Sequence, residues 1–424
     1  MTRDPSENLF RIIEARREEM VELARDLIRF PTINPPGEAY QPCAEFIGRR
    51  LKPHGFAVEY VRAAGTPGDT ERYPRINVVA RRKGSAAGPC VHFNGHIDVV
   101  QTGAGWTLDP FAAVVKDGKV YGRGACDMKG GLAAAIVAVE ALIDSGAELP
   151  GTLEISGTVD EESGGYGGVH YLAERGWYSQ VDHVIIPEPL NVDRVCIGHR
   201  GVWWAEIETH GRMAHGSMPF LGDCAVRHMN AFIDRLERDL YPKLAARRTD
   251  MPVVPSGARH STLNINSIHG GQAETLGFPA PCVPDSCRMV IDRRLLIEES
   301  LDSVKGEVRA LLEQLMSERE GFAYELRDIF EVQPTMADRN GPVARSTAAA
   351  IQRVMGRPAE FICSPGTYDQ KHIDRVGKLK DCIAYGPGIL DLAHQPDEYV
   401  LIDDMVNSAK VMALAARALL HGSA

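Results

Sequence analysis

Four apolar runs, Cys90–Asn94, Thr152–Thr158, His183–Pro187 and Cys382–Tyr385, read as buried strands, and each ends at or shortly before an acidic or histidine residue. His96 and Asp98 follow the first in GHID, Glu161 and Glu162 the second in DEE, Glu188 the third in PEP, and His394 the last; Asp127 lies between, in RGACDMKGG. Helical patterns alternate with these runs, which predicts an α/β domain on a largely parallel central sheet flanked by helices. Open sheets of this kind collect ligands at the carboxyl ends of their strands, so segments far apart in sequence are expected to converge there.

Taken singly, none of these residues is diagnostic. A His-x-Asp pair is most often a satisfied surface or core pair, neighbouring acids are usually solvated, Glu188 between prolines can be a turn residue, and His394 a loop histidine. Together, at strand ends and in glycine-rich loops that let backbone approach an ion, they have the composition of a metal centre. Carboxylate and imidazole donors at this density suit Zn²⁺ or a similar divalent ion, and two such ions can hold a bridging water whose pKa is lowered toward neutrality.

Composition narrows the alternatives. The 424 residues, 44% hydrophobic and 25% charged, suffice for a large core and a second, smaller one. A net charge of −10 argues against nucleic acid or an anionic membrane as partner, since both reward basic stripes. The N-terminal stretch to Met20 alternates charged and apolar residues at helical spacing and lacks the apolar core of an export signal. Gly130 to Ile143, the most apolar stretch, is interrupted by Glu140 and is too short to span a bilayer; its small residues suit a helix packed in a core. Nine cysteines without a CxxC pair fit a reduced, cytoplasmic compartment.

From about Ile197 to about Glu331 the pattern changes. Val202–Thr209 and Cys287–Arg293 alternate as half-buried strands do, and Ala225–Leu240 and Ser300–Glu318 read as amphipathic helices. A smaller α+β domain over 198–332 is expected to interrupt a catalytic domain made of 1–197 and 333–424.

With these motifs in hand, a resemblance is specific. GHIDVV, the W-x-x-DPF of Trp106–Phe111, DGKVYGRGACDMKGG, DEESGG, PEP, the GxxAHxxxP of Gly211–Pro219, and YGPG followed by AHQPDEYV resemble the superfamily of acetylornithine deacetylase, succinyl-diaminopimelate desuccinylase, carboxypeptidase G and aminoacylase. The likeness runs from about Pro31 to about Val400. It implies one metal held by His96, Asp127 and Glu188, and a second by Asp127, Glu162 and His394, with Asp127 bridging two Zn²⁺ per subunit; Co²⁺ or Mn²⁺ suits the same donors. It implies that Asp98 accepts the other N–H of the His96 ring. Glu161 would be the general base, taking a proton from the bridging water and giving it to the departing nitrogen. The residues alone leave open which of Glu161 and Glu162 does which. The resemblance further implies a cis peptide bond at Asp127–Met128. His215 would stabilise the oxyanion across the subunit boundary of a homodimer, which makes the inserted domain a lid and dimerisation domain. Arg294 would grip a substrate carboxylate.

The sequence departs from the family pattern in two places. Pro281-Cys282-Val283-Pro284 stands where relatives carry an Asn in a turn that contributes to substrate binding. In SPGTYDQK the resemblance covers Gly366, Thr367 and Asp369, with Lys371 where many relatives have Arg. The expected activity is removal of a small acyl group from an N-acyl amino acid or related N-acyl amine. Deacylation of an amine without an α-carboxylate, such as a formylaminopyrimidine, is the alternative, followed by a dipeptidase or carboxypeptidase and, last, a non-catalytic metabolite-binding protein.

Overall fold

The computed structural model describes residues 5–271 and 281–422; the first four residues of the N-terminal stretch read above as helical lie outside them. The chain packs as two units, Met1–Gly198 with Ala337–Ile362 and Tyr368–Ala424, and His199–Met336 with Cys363–Thr367. The first is the domain expected to be catalytic. The short return of Cys363–Thr367 to the second unit has no counterpart in the sequence reading.

The first unit is built on a sheet with strand order Ala57–Arg62, Ile76–Lys83, Thr152–Thr158, Cys90–His96, His183–Pro189, Cys382–Gly386, Arg194–His199. The runs singled out in the sequence form its centre and are mutually parallel. Their residues are buried almost without interruption, because helices cover both faces of a parallel sheet and leave no solvated side to alternate toward. The outer strands Ile76–Lys83, Ala57–Arg62 and Arg194–His199 pair antiparallel, so the sheet is mixed, with a parallel centre.

Parallel register aligns the strand ends. His96 pairs with Thr158, and Phe93 pairs with Ile185, so three residues further on His96 and Glu188 emerge level with one another. The helix Gly130–Asp144 is buried on almost every side, as its small apolar residues require. Glu140, the acid within its apolar run, is fully buried and answered by Arg16 at 3.2 Å and Arg50 at 2.6 Å. The helix begins hard against the sheet: a Cβ on Gly131 would sit 2.0 Å from the Pro187 carbonyl oxygen.

The second unit has a four-stranded antiparallel sheet, ordered Thr262–Gly270, Ser286–Leu295, Gly201–His210, Ala323–Val332. Its central strands alternate buried and half-buried residues. Trp203, Ile207, Met289 and Ile291 form a core with Phe232 of helix Ala225–Arg235 and Leu312 of helix Leu301–Glu318. Ser300, read above as helical, is the N-cap, its hydroxyl accepting the Ser303 N–H. The expected helix to Leu240 breaks its regular pitch at Leu236–Leu240, just before Pro242 in the first turn of the short helix Tyr241–Ala246. All nine cysteines are free thiols, and no helix among the described residues is long and apolar enough to cross a membrane.

Candidate metal centre

Every acid and histidine drawn from the strand ends lies in the first unit. His96 closes its strand with Nδ1 3.0 Å from the Asp98 carbonyl oxygen. Its Nδ1–H therefore donates there, which turns Nε2 toward the carboxylates. The Asp98 side chain was expected to receive that proton, but its carboxylate is 3.6 Å away. It instead accepts the backbone N–H groups of Glu161 at 3.2 Å and Glu162 at 3.1 Å, and the Asn34 amide at 3.3 Å. Asp98 thus orients the ring through its main chain and the Glu161–Ser163 turn through its side chain. Asp127 and Met128 flank the expected cis peptide bond.

Two donor sets result. In the first, His96 Nε2 is 3.0 Å from Asp127 Oδ1 and 3.9 Å from Glu188 Oε1. In the second, His394 Nε2 is 3.0 Å from Glu162 Oε2 and 3.6 Å from Asp127 Oδ2. Asp127 belongs to both, and the ligand atoms of each set lie within 4.8 Å of one another. Ligands about 2.1 Å from one tetrahedral ion are spaced roughly 3.4 Å apart, so these separations are those of donors around a common cation. The donor chemistry, imidazole nitrogen and carboxylate oxygen, also fits a borderline divalent metal.

The electrostatics agree. Burial, with the neighbouring Asp127 charge, raises the Glu162 carboxyl to about 7. Burial, then Asp127, pushes Glu188 well above the carboxylate range. Burial raises Asp98 to about 8 against the pull of His96. His394, hydrogen-bonded to Asp127 and Glu162, is raised to about 10. Burial alone would raise Asp127 too, but hydrogen bonds from His394 and His96 hold it below the usual range. Such a cluster holds protons where a divalent cation would relieve the same repulsion.

Two further acidic groups shape the centre. Glu398, quoted in the sequence motif but given no role there, is buried; its Oε1 accepts the N–H groups of Cys126 at 2.8 Å and Asp127 at 3.0 Å. Its Oε2 accepts Gly124 N–H at 3.1 Å and Arg123 Nη1 at 2.6 Å. It therefore clamps the loop that carries Asp127, the residue common to both donor sets. Arg123 Nη2 also reaches the His394 carbonyl at 3.3 Å, tying the two ligand loops together. The second group is Glu161, whose Oε1 is 2.6 Å from Lys371 Nζ. Lys371, expected to bind substrate, is buried with its ammonium on this acid. Position in the motif alone could not show that contact.

The remaining expected residues lie in the second unit. His215 is exposed, its Nδ1 accepting from Ser217 N–H at 3.1 Å and Ser217 Oγ at 2.8 Å, which puts the ring proton on Nε2. Arg294 spans Asp292 with both arms of its fork, at 2.7 and 2.9 Å. Gly366 and Thr367 are half-buried, the Gly366 N–H donating to Ser364 Oγ at 3.2 Å. Pro281 turns its carbonyl to the Gly216 N–H at 2.7 Å, beside the His215 bridge to Cys282.

A parallel-centred α/β sheet whose strand ends carry two donor sets sharing one carboxylate defines a metal-dependent hydrolase. Comparison with known proteins agrees: the model of Peptidase family M20/M25/M40 matches residues 92–418, and the chain belongs to this family. It is 28% identical over 402 residues to a succinyl-diaminopimelate desuccinylase of Thioalkalivibrio sulfidiphilus, covering 91% of this chain and 95% of that protein. It is 29% identical over 383 residues to an acetylornithine deacetylase of Myxococcus xanthus, covering 90% and 92%. Among solved structures, human carnosine dipeptidase 1 superposes with a TM-score of 0.79 at 20% identity, covering 99% of each chain. A dinuclear metal-binding M20 peptidase of Bacillus subtilis superposes with a TM-score of 0.69 at 18% identity, covering 96% of this chain and 99% of that one.

Proposed function

We propose that this chain hydrolyses the C–N bond of a small N-acyl amino acid or related N-acyl amine, releasing the acyl group as a carboxylate. The observation that carries the reading is the pair of donor sets joined through Asp127, with Glu161 beside Glu162 on a turn held by Asp98. The desuccinylase and deacetylase relatives, matched over nearly their whole length, support acyl removal over peptide cleavage.

His96, Asp127 and Glu188 would hold one ion, and Asp127, Glu162 and His394 the other, with two Zn²⁺ per subunit as first choice and Co²⁺ or Mn²⁺ suited to the same donors. When bound, the ions supply an acidified water and polarise the scissile carbonyl. Glu161 accepts a proton from the attacking water at a carboxylate oxygen and returns it to the amide nitrogen. The water oxygen joins the acyl carbon, the C–N bond breaks, the amine departs neutral, and the carboxylic acid formed loses the water's second proton to solvent to leave as a carboxylate. His215 of the partner subunit in a homodimer donates its Nε2–H to the developing oxyanion, a role supported by the Ser217 contacts that fix this tautomer. Arg294, with Gly366 and Thr367, binds the substrate; for a carboxylate to enter the Arg294 fork it must displace Asp292. Free thiols throughout support a cytoplasmic setting. Pro281, with its carbonyl engaged by Gly216, favours as second reading an amine without an α-carboxylate, such as a formylaminopyrimidine.

The test is a panel of N-formyl, N-acetyl and N-succinyl amines, with and without an α-carboxylate, alongside dipeptides, assayed on metal-loaded protein. Glu161→Gln is expected to lower turnover of the best substrate by about 10²–10⁴-fold with metal content unchanged. Near-normal turnover in that variant would overturn the mechanism, and faster cleavage of dipeptides than of every acyl amine would overturn the substrate class.

A further inference from the structure

Behind Glu161 lies a buried polar assembly that the reaction above does not use. Lys371 sits on the first turn of helix Gln370–Arg375, only 3% exposed, with its ammonium on Glu161 Oε1 at 2.6 Å. Asp369, two residues earlier and also buried, supplies a second negative charge to this ammonium. Asp369 is fixed by the sheet: its Oδ2 accepts from Asn94 Nδ2 at 3.0 Å and from Thr158 Oγ1 at 3.4 Å. Asn94 Oδ1 accepts in turn from Ser156 Oγ at 2.8 Å and Tyr178 at 3.3 Å. The His92 ring lies next in the series, with Nε2 2.8 Å from Ser156 Oγ and Nδ1 2.6 Å from Glu154 Oε1. An unbroken series of hydrogen bonds thus runs through the two central strands to Asp369, and Lys371 carries its hold to Glu161.

The Lys371 ammonium is committed to a carboxylate of the protein, and as a compact point charge it suits that single contact. Two buried ions of opposite sign also make each other tolerable, while either one alone is costly.

We propose that Lys371, backed by Asp369, is a positioning residue that holds the Glu161 carboxylate in its working orientation, and that the site accepts N-acyl amines lacking an anionic group for Lys371 to grip. The proposal rests on the reading of Glu161 as the base. It adds no covalent step: the proton still passes from water to Glu161 to the departing nitrogen, and Lys371 keeps its own.

The test uses full-length, metal-loaded Lys371→Met, Lys371→Arg, Glu161→Ala and the double variant Glu161→Ala/Lys371→Met. In thermal unfolding, Glu161→Ala is expected to lower Tm by about 5 °C or more by stranding the ammonium, and the double variant to regain at least half of that loss. Strictly additive shifts would refute the pairing. In kinetics, Lys371→Met is expected to lower kcat about 100-fold with KM within about threefold, equally for acyl amines with and without a carboxylate, and Lys371→Arg to recover part of the loss. A rise in KM confined to carboxylate-bearing substrates, with kcat intact, would make Lys371 a substrate clamp and overturn the proposal. If no amide is turned over by the wild-type protein, the reading of Glu161 as base fails, while the thermal comparison still decides the ion pair.

Discussion

Replacing Glu398 with Gln removes one oxygen from a carboxylate whose two oxygens together accept four hydrogen bonds: from Cys126, Asp127 and Gly124 N–H and from Arg123. The amide can keep its oxygen toward Cys126 and Asp127, but its NH₂ then faces the Gly124 N–H and the Arg123 guanidinium, which are both donors. Arg123 is left as a buried cation without its carboxylate partner, since its other hydrogen bonds go to the carbonyls of Gln101, Thr102, His394 and Gln395. Breaking one side of a buried pair costs about 3–5 kcal/mol, which lowers Tm by roughly 10 °C in a domain of this size. Because Glu398 holds the backbone of Asp127 and reaches the His394 loop through Arg123, both donor sets should loosen, and metal affinity should fall about 10–100-fold although Glu398 touches no donor atom. Calorimetric metal titration and thermal unfolding of the same preparation measure the two effects. Wild-type affinity together with a Tm within about 2 °C of wild type would refute the argument that Glu398 organises the centre.

Metal affinity should rise with pH between about 6 and 10. Glu162, raised to about 7, and His394, raised to about 10, both hold protons in the metal-free fold that an ion must displace. The same shifts give the sign for the metal-free protein. Between the unfolded and folded values of each group the native state binds more protons than the unfolded chain, so stability present at lower pH is lost as pH rises through about 7 and then about 10. Calorimetry in two buffers of different ionisation enthalpy should show proton release on metal binding at pH 7, and no release would contradict the assignment. Gly131→Ala should destabilise by about 1–3 kcal/mol, because its Cβ meets the Pro187 carbonyl at 2.0 Å. It should also reduce metal content, since Glu188 follows Pro187; unchanged Tm and metal content would show that the helix start has room to shift.

The centre was legible where its residues end buried parallel strands. His96, the Glu161–Glu162 pair and Glu188 could be read because unbroken apolar runs announce such strands and topology brings their ends together. The Ile76–Lys83 and Ala57–Arg62 strands gave a weaker signal, since the outer one is largely exposed and pairs at the edge. Asp98 was expected at the His96 ring through its side chain; spacing shows which residues are neighbours but not whether main chain or side chain makes the bond. Lys371 and Glu161 are 210 positions apart, and only the fold brings the ammonium to the acid. Glu398 was hidden for another reason: its partners are backbone N–H groups, which leave no mark in residue identity.

The central claim is that Asp127 is shared by two metal sites. Crystals of the metal-loaded protein, measured above and below the absorption edge of the bound element, test it most directly. The expected result is two anomalous peaks per chain about 3.5–4 Å apart, one beside His96 and Glu188, the other beside Glu162 and His394, with an Asp127 oxygen on each. A single ion, or ions that leave Asp127 without metal contact, would contradict it.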